Sequence, residues 1–296
     1  MKLALGTVQF GLEYGIANKR GRVSLHEARN ILTHARASGM DMLDTAIGYG
    51  DSEQRLGEIG VGGWQVVSKL PAVPSDCGDI GRWAAAEVAG SLRRLRVGQL
   101  GGLLLHRPQQ LLEKGGDDLY RALERLKQSG LVQKVGISIY APDELDALLP
   151  RFDLDLVQAP FNLLDHRLVE SGWMERLAGR GVELHARSIF LQGLLLMKPG
   201  ERPARFGRWA TLWAEYDAWL EGAQLSAVQA CLRHALSFSG IARVIIGVDG
   251  VSQLKEILRA AEGSMPPLPA GLRCTDPDLL NPARWAALQA TASSAT

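Results

Sequence analysis

Short apolar runs alternate with amphipathic stretches along the chain. The runs are Leu3-Ala4-Leu5, Met42-Leu43, Trp64 to Val67, Gly101 to Leu105, Val132 to Ile137, Leu154 to Val157, Val182 to Ala186 and Val244 to Ile246. Each is short, mostly aliphatic and flanked by turn residues, the pattern of a parallel strand buried on both faces. Helical periodicity fills the intervals: Ser24 to Ser38, Asp51 to Ile59, Arg82 to Leu95, Asp117 to Gln128, Pro142 to Leu149, Leu168 to Ala178, Leu225 to Leu236 and Val251 to Ala261. Ser24 with Glu27 three residues on predicts a capping box, and Gly39 a stop. Eight strand–helix pairs in order predict an α/β fold, a single (β/α)8 barrel domain over residues 1–296. An open doubly wound sheet is the runner-up, but no strand is followed by G-x-G-x-x-G.

Two connections exceed the usual ~2–6 residues of a barrel turn. They are Leu70 to Gly81 after strand three and Leu195 to Ala223 after strand seven. Both follow strand C-terminal ends, where barrel enzymes build their sites. The second carries Trp209, Trp213 and Trp219, which either line a pocket or pack the loop, and Arg208 to Leu220 reads as a short extra helix. A Pro-rich tail after Gly263, with an apolar stretch from Pro282 to Leu288, forms a C-terminal extension expected to pack on the barrel.

Composition narrows the class. The chain has 296 residues, 46% hydrophobic, enough for a large core without disulfides. Lys+Arg 33 against Asp+Glu 32 gives net charge +1, so neither nucleic acid nor an anionic membrane is an expected partner. No run reaches the ~18 apolar residues of a membrane span, and Met1 to Gly6 carries no leader pattern. Cys77, Cys231 and Cys274 lack metal-ligand spacing; the expected setting is cytoplasmic. The pattern sets no oligomeric state.

The residues that close the runs bear chemistry. Strand two ends in Asp44 with Tyr49 just beyond, strand three in Ser68-Lys69, strand four in His106, strand five in Ser138, strand six in Gln158 and strand seven in Arg187-Ser188. Each has an ordinary reading: a carboxylate as helix cap, a packed tyrosine, a solvated lysine, a structural histidine. In a closed barrel they share one rim, and an acid, a phenol, an amine and an imidazole converging on one mouth are poorly explained by chance. A metal-dependent barrel enzyme would need more ligands than Asp44, His106 and a strand-buried His185, so no metal is expected.

The segment Asp44-Thr45-Ala46-x-x-Tyr49-Gly50-x-Ser52-Glu53-x-x-Leu56-Gly57 resembles the signature of the aldo-keto reductase superfamily. Lys69 and His106 stand where that family keeps its other two catalytic residues, and Leu5 to Gly11 and Gln158 to Leu164 are also similar to it. The resemblance implies reduction of a small carbonyl compound by hydride transfer. Tyr49 would be the general acid. Lys69 would stabilise the charge left on the phenol oxygen, Asp44 would hold Lys69, and His106 would hydrogen-bond the carbonyl oxygen. It also implies a nicotinamide dinucleotide, NADP(H) ahead of NAD(H), laid across the strand ends. Gly6, Thr7 and Asp44 would face it. Ser138 and Gln158 would bind the carboxamide, with Arg187 beside the ring. Ser188, Phe190, Gln192 and Gly193 would contact the pyrophosphate. Gly247, Val248, Gln253 and Glu256 would wrap the adenosine, with the last helix offering its N-terminus to phosphate.

This chain departs from the family at Ser138-Ile139, where many members have Ser-Asn, and at Arg187, where many stack an aromatic ring. Gln253 replaces a common Arg, Lys255 is the basic residue nearest to it, and Asp249 is a feature that favours NAD(H). Some relatives serve instead as cofactor-sensing regulatory subunits with slow turnover, the alternative to an enzyme.

Overall fold

The computed structural model describes residues 1–18 and 20–292. Eight parallel strands close into a barrel: β1 Leu3–Gly6, β2 Met42–Asp44, β3 Gln65–Leu70, β4 Gly102–Leu105, β5 Val135–Ser138, β6 Leu156–Pro160, β7 Glu183–Arg187 and β8 Arg243–Gly247. β8 returns to β1 in parallel register from Leu3↔Val244 to Gly6↔Gly247. Around them lie α1 Leu25–Ala37, α2 Ser52–Ile59, α3 Ile80–Leu95, α4 Gly116–Gln128, α5 Glu144–Leu148, α6 Trp173–Gly179, α7 Ala210–Gly222, α8 Ala227–Ser237 and α9 Val251–Ala260. The closed (β/α)8 architecture is the one the apolar pattern predicts, with α7 as the extra helix of the loop after β7.

Local differences have local causes. β3 runs on to Leu70, so Lys69 lies within the strand rather than beyond it. β5 begins at Val135, and Val132 makes only an isolated bridge to Leu100. The single helix expected from Leu168 to Ala178 is two, Arg167–Glu170 and α6, broken where Gly172 takes φ 72°. Such a left-handed residue interrupts a helical ladder, and glycine adopts it without Cβ strain.

Burial falls into three groups. Ala4, Met42, Val67, Leu104, Leu156 and Ile245 plug the barrel interior. Most other buried aliphatics fill the layer between strands and helices. A satellite core joins the loop after β7 to the tail, with Phe206, Trp213 and Tyr216 against Leu279, Leu280 and Trp285. Trp213 is buried there and donates its indole N–H to the Phe206 carbonyl at 2.9 Å, while Trp209 and Trp219 pack against the same cluster. None of the three lines the cleft described below.

The signature segment is held by close backbone approach. A Cβ on Gly11 would lie 1.8 Å from the Tyr49 carbonyl oxygen, so the turn after β1 packs directly on the loop carrying Tyr49. Ser52 donates to the Thr7 carbonyl at 2.9 Å, and the buried Glu53 carboxylate accepts from Ser68, Ser91 and Arg94. The Ser24 cap forms, accepting from the Glu27 amide at 3.2 Å. The Glu27 side chain, however, turns away from its own helix. It accepts the Val251 amide at 2.8 Å, at the start of α9.

Candidate active site

The pleat of the sheet builds the site. Inward-facing side chains recur every second residue along a strand. Two residues beyond the interior plug therefore come Gly6 after Ala4, Asp44 after Met42, Lys69 after Val67, His106 after Leu104, Gln158 after Leu156 and Gly247 after Ile245. Ser138 pairs with Gln158, and Arg187 ends β7. One layer of apolar side chains is thus roofed by one layer of polar ones and glycines.

Within that layer the groups are tied into a chain. The buried Lys69 ammonium donates to Asp44 Oδ1 at 2.6 Å and to the Thr45 carbonyl at 2.8 Å. Gln158 Nε2 donates to Asp44 Oδ2 at 2.7 Å, and Ser138 Oγ donates to Gln158 Oε1 at 3.2 Å. Burial acts to lower the pKa of Lys69, but the charge of Asp44, the proximity of Tyr49 and the Asp44 hydrogen bond together raise it above its ordinary value. The ammonium is therefore permanent at neutral pH. Lys69 Nζ sits 5.2 Å from the Tyr49 ring centroid, and the His106 ring meets Tyr49 edge-on at 5.9 Å. Burial, then the charges of Lys69 and Arg187, push His106 down to about 4, so its imidazole is neutral at pH 7 and keeps one N–H to donate.

Arg187 is braced by uncharged partners. It donates to the Ile139 carbonyl at 2.8 Å and to Ser188 Oγ at 3.1 Å, and its guanidinium lies 4.7 Å from the Tyr140 ring centroid. Where many family members stack an aromatic ring, this chain presents a cation that is itself stacked.

A cleft of about 480 Å³ runs from Tyr49, His106 and Arg187 to Asp249, Gln253 and Glu256. Two loops meet across it. Ile16 donates its amide to the Gln192 carbonyl at 3.2 Å, and Gln192 Nε2 donates to the Tyr14 hydroxyl at 3.2 Å. Ser188, Leu191 and Gln192 have φ of 59°, 47° and 52°. Such strained backbone clusters at ligand clamps. The cleft suits a nicotinamide dinucleotide in one respect: Gln9 Oε1, on its wall, is buried without a partner and calls for a donor. The Gln9 amide lies where a Cβ on Gly247 would stand, its Nε2 2.3 Å from that point, so this position takes a glycine.

Most of the residues singled out by sequence meet here: Gly6, Thr7, Asp44, Tyr49, His106, Ser138, Gln158, Arg187, Ser188, Phe190, Gln192, Gly193, Gly247, Gln253 and Glu256 all line the cleft. Lys69 stands behind this wall, in contact through Asp44. Val248 does not join them. Its side chain is 1% exposed in the outer core, because the inward face of β8 continues through Gly247 and the next residue points the other way. Thr7 reaches the wall, but its hydroxyl is committed to the Asp44 carbonyl at 3.0 Å. At the head of α9, Glu27 takes the Val251 amide, and Gln253 Oε1 takes the amide of Asp249, just before the helix, at 2.7 Å. Gln9 and Tyr140 were missed. Tyr140 lies two residues beyond Ser138, so the period of two could have found it.

A parallel barrel whose polar roof gathers a phenol, an imidazole and a buried lysine–aspartate pair beside a long cleft defines a class of barrel oxidoreductase. The aldo/keto reductase family model matches residues 2–267, and the chain belongs to that family. It is 27% identical over 183 residues to an uncharacterized oxidoreductase of Bacillus subtilis (strain 168), covering 59% of this chain and 58% of that protein. It is 31% identical over 170 residues to an aldo-keto reductase of Mycobacterium sp. (strain JLS), covering 56% and 59%. The matched stretches thus span under two thirds of these relatives. The holo form of an aldo-keto reductase from Bacillus halodurans superposes with TM-score 0.70 at 21% identity, covering 90% of this chain and 88% of that one. Among the described residues no helix is long and apolar enough to cross a membrane.

Proposed function

We propose that the chain, as one barrel domain over residues 1–296, is an NAD(P)H-dependent oxidoreductase that reduces an aldehyde or ketone to an alcohol. The observation that carries this reading is the buried chain Lys69–Asp44–Gln158–Ser138 lying under Tyr49 and His106. Bound nicotinamide supplies the hydride. The protein's part is to position the carbonyl and complete the alcohol. His106, neutral at working pH, donates a hydrogen bond to the carbonyl oxygen and favours charge gathering there. Tyr49 delivers the proton to that oxygen as hydride reaches the carbon. Lys69 stabilises the phenolate left behind, and Asp44 keeps Lys69 charged and in place. Ser138 and Gln158 are the residues that would hold the carboxamide. The substrate is a small carbonyl compound. The family resemblance alone puts NADP(H) ahead of NAD(H), while the carboxylates at the adenosine end of the cleft argue for the reverse order.

Tyr49→Phe tests the assignment. Cofactor Kd should stay within about twofold, while kcat on a panel of aldehydes and ketones falls ~10²–10⁴-fold, the usual effect of losing a positioned acid. Near-parental kcat in this variant would refute Tyr49 as the proton donor.

A further inference from the structure

Resting on the dinucleotide reading of the cleft, we propose that this site selects NAD(H) over NADP(H), with Asp249 receiving the ribose hydroxyls where a 2′-phosphate would otherwise lie. The chemistry groups occupy one end of the cleft, so the adenosine half of an extended dinucleotide falls at the other, against Asp249, Gln253 and Glu256. Three features there disfavour a phosphate. First, Asp249 Oδ1 is buried without a hydrogen-bond partner. A buried carboxylate oxygen in that state is stabilised by a donor. A ribose diol brings donors, whereas a 2′-phosphate brings a second anion. In the Rossmann fold a carboxylate holds the ribose of NAD in this way.

Second, part of the helix terminus is taken by side chains. Helix N-termini attract phosphate through free amides, but here the first helical amide, of Val251, donates to Glu27 Oε1, and the Asp249 amide just before the helix donates to Gln253 Oε1. Glu27 thereby adds a carboxylate beside Gly250 as well as occupying a donor. Third, among the described residues no lysine or arginine lines that end of the cleft. Lys255 is exposed and does not line the cleft. Arg20 comes close, its Nη1 3.4 Å from where a Gly250 Cβ would stand, but it is exposed and faces Glu27 and Asp249 there. Gln253, expected to stand in for a phosphate-binding arginine, is instead a brace for the Asp249 backbone.

The test is a titration of the full chain with NADH and with NADPH, read by tryptophan quenching and by calorimetry. The parent should bind NADH at least tenfold more tightly. Asp249→Ser should shift the NADH-to-NADPH affinity ratio at least tenfold toward NADPH. Asp249→Asn, nearly isosteric, should shift it the same way without loss of fold. Tighter NADPH binding by the parent, or a ratio unmoved in both variants, overturns the inference; in the former case a collapse of NADPH affinity in Arg20→Gln would assign the phosphate to that arginine. Binding of neither nucleotide would remove the dinucleotide reading itself, and this selectivity with it.

Discussion

Arg187 brings a fixed positive charge to the chemistry end of the cleft. Its partners, a carbonyl, a hydroxyl and a phenol ring, orient the guanidinium without neutralising it. Its reach is visible in His106, whose pKa it helps to depress. Oxidised nicotinamide carries a positive ring and reduced nicotinamide does not. Two unit charges ~6 Å apart interact by roughly 3 kcal/mol at an effective dielectric near 20, before solvent screening reduces it. Arg187→Met keeps most of the bulk and removes the charge. It should lower the ratio of reduced to oxidised cofactor affinity by about tenfold, measured as paired Kd values. An unchanged ratio would leave Arg187 a mere brace of the rim. This residue was legible as a rim position because it closes an apolar run. Its stacking on Tyr140 was not, since that depends on how β5 and β7 end relative to each other across the barrel mouth.

At the scale of elements, the contact between the turn after β1 and the Tyr49 loop is the most exacting. Gly11 sits in a short helix, Val8–Gly11, with a Cβ's place already filled by the Tyr49 carbonyl at 1.8 Å. Gly11→Ala must push that loop outward. The expected result is a loss of ~10²-fold or more in kcat/KM, with a Tm drop of several degrees, since backbone cannot yield as a flexible side chain can. A variant with parental kcat/KM would mean the loop relaxes without moving the phenol. The strands themselves were readable because runs buried on both faces are uniformly apolar. The side chains at the head of α9 were not. Ser24 and Glu27 have capping-box spacing, yet Glu27 serves a helix 224 residues away, and no local pattern records that choice. The tryptophans of the loop after β7 mislead for a similar reason: their burial is against a tail that sequence order places far away.

For the whole molecule, acid should be a sensitive variable. His106 and His234 are held down to about 4 and about 3, each with burial as the first cause. The His234 ring stacks on Phe161 at 5.3 Å and meets Phe238 at 5.1 Å, so protonation there would place a charge inside an aromatic cluster. Between pH 6.5 and those values the unfolded chain binds protons that the folded chain refuses, so stability falls as pH falls. At pH 5 this amounts to about 2 kcal/mol per histidine relative to pH 7, from ~1.4 kcal/mol per pH unit. Urea midpoints at pH 7, 6 and 5 should decline. His234→Phe, which removes one titrating ring and keeps the aromatic packing, should flatten the decline. An equally steep decline in the variant would locate the acid sensitivity elsewhere.

The seam between β1 and β8 has a consequence in time. Leu3 pairs with Val244 and Gly6 with Gly247, so β1, made before the other seven barrel strands, waits for the last of them before its second edge is covered. During that interval an aliphatic strand lies with one row of amides and carbonyls unpaired, the kind of edge that recruits strands from other chains. The barrel that is edgeless when finished is thus an open sheet through most of its synthesis. Its yield in a cell should depend on how quickly the last quarter of the chain arrives, or on what shields Leu3 to Gly6 until it does.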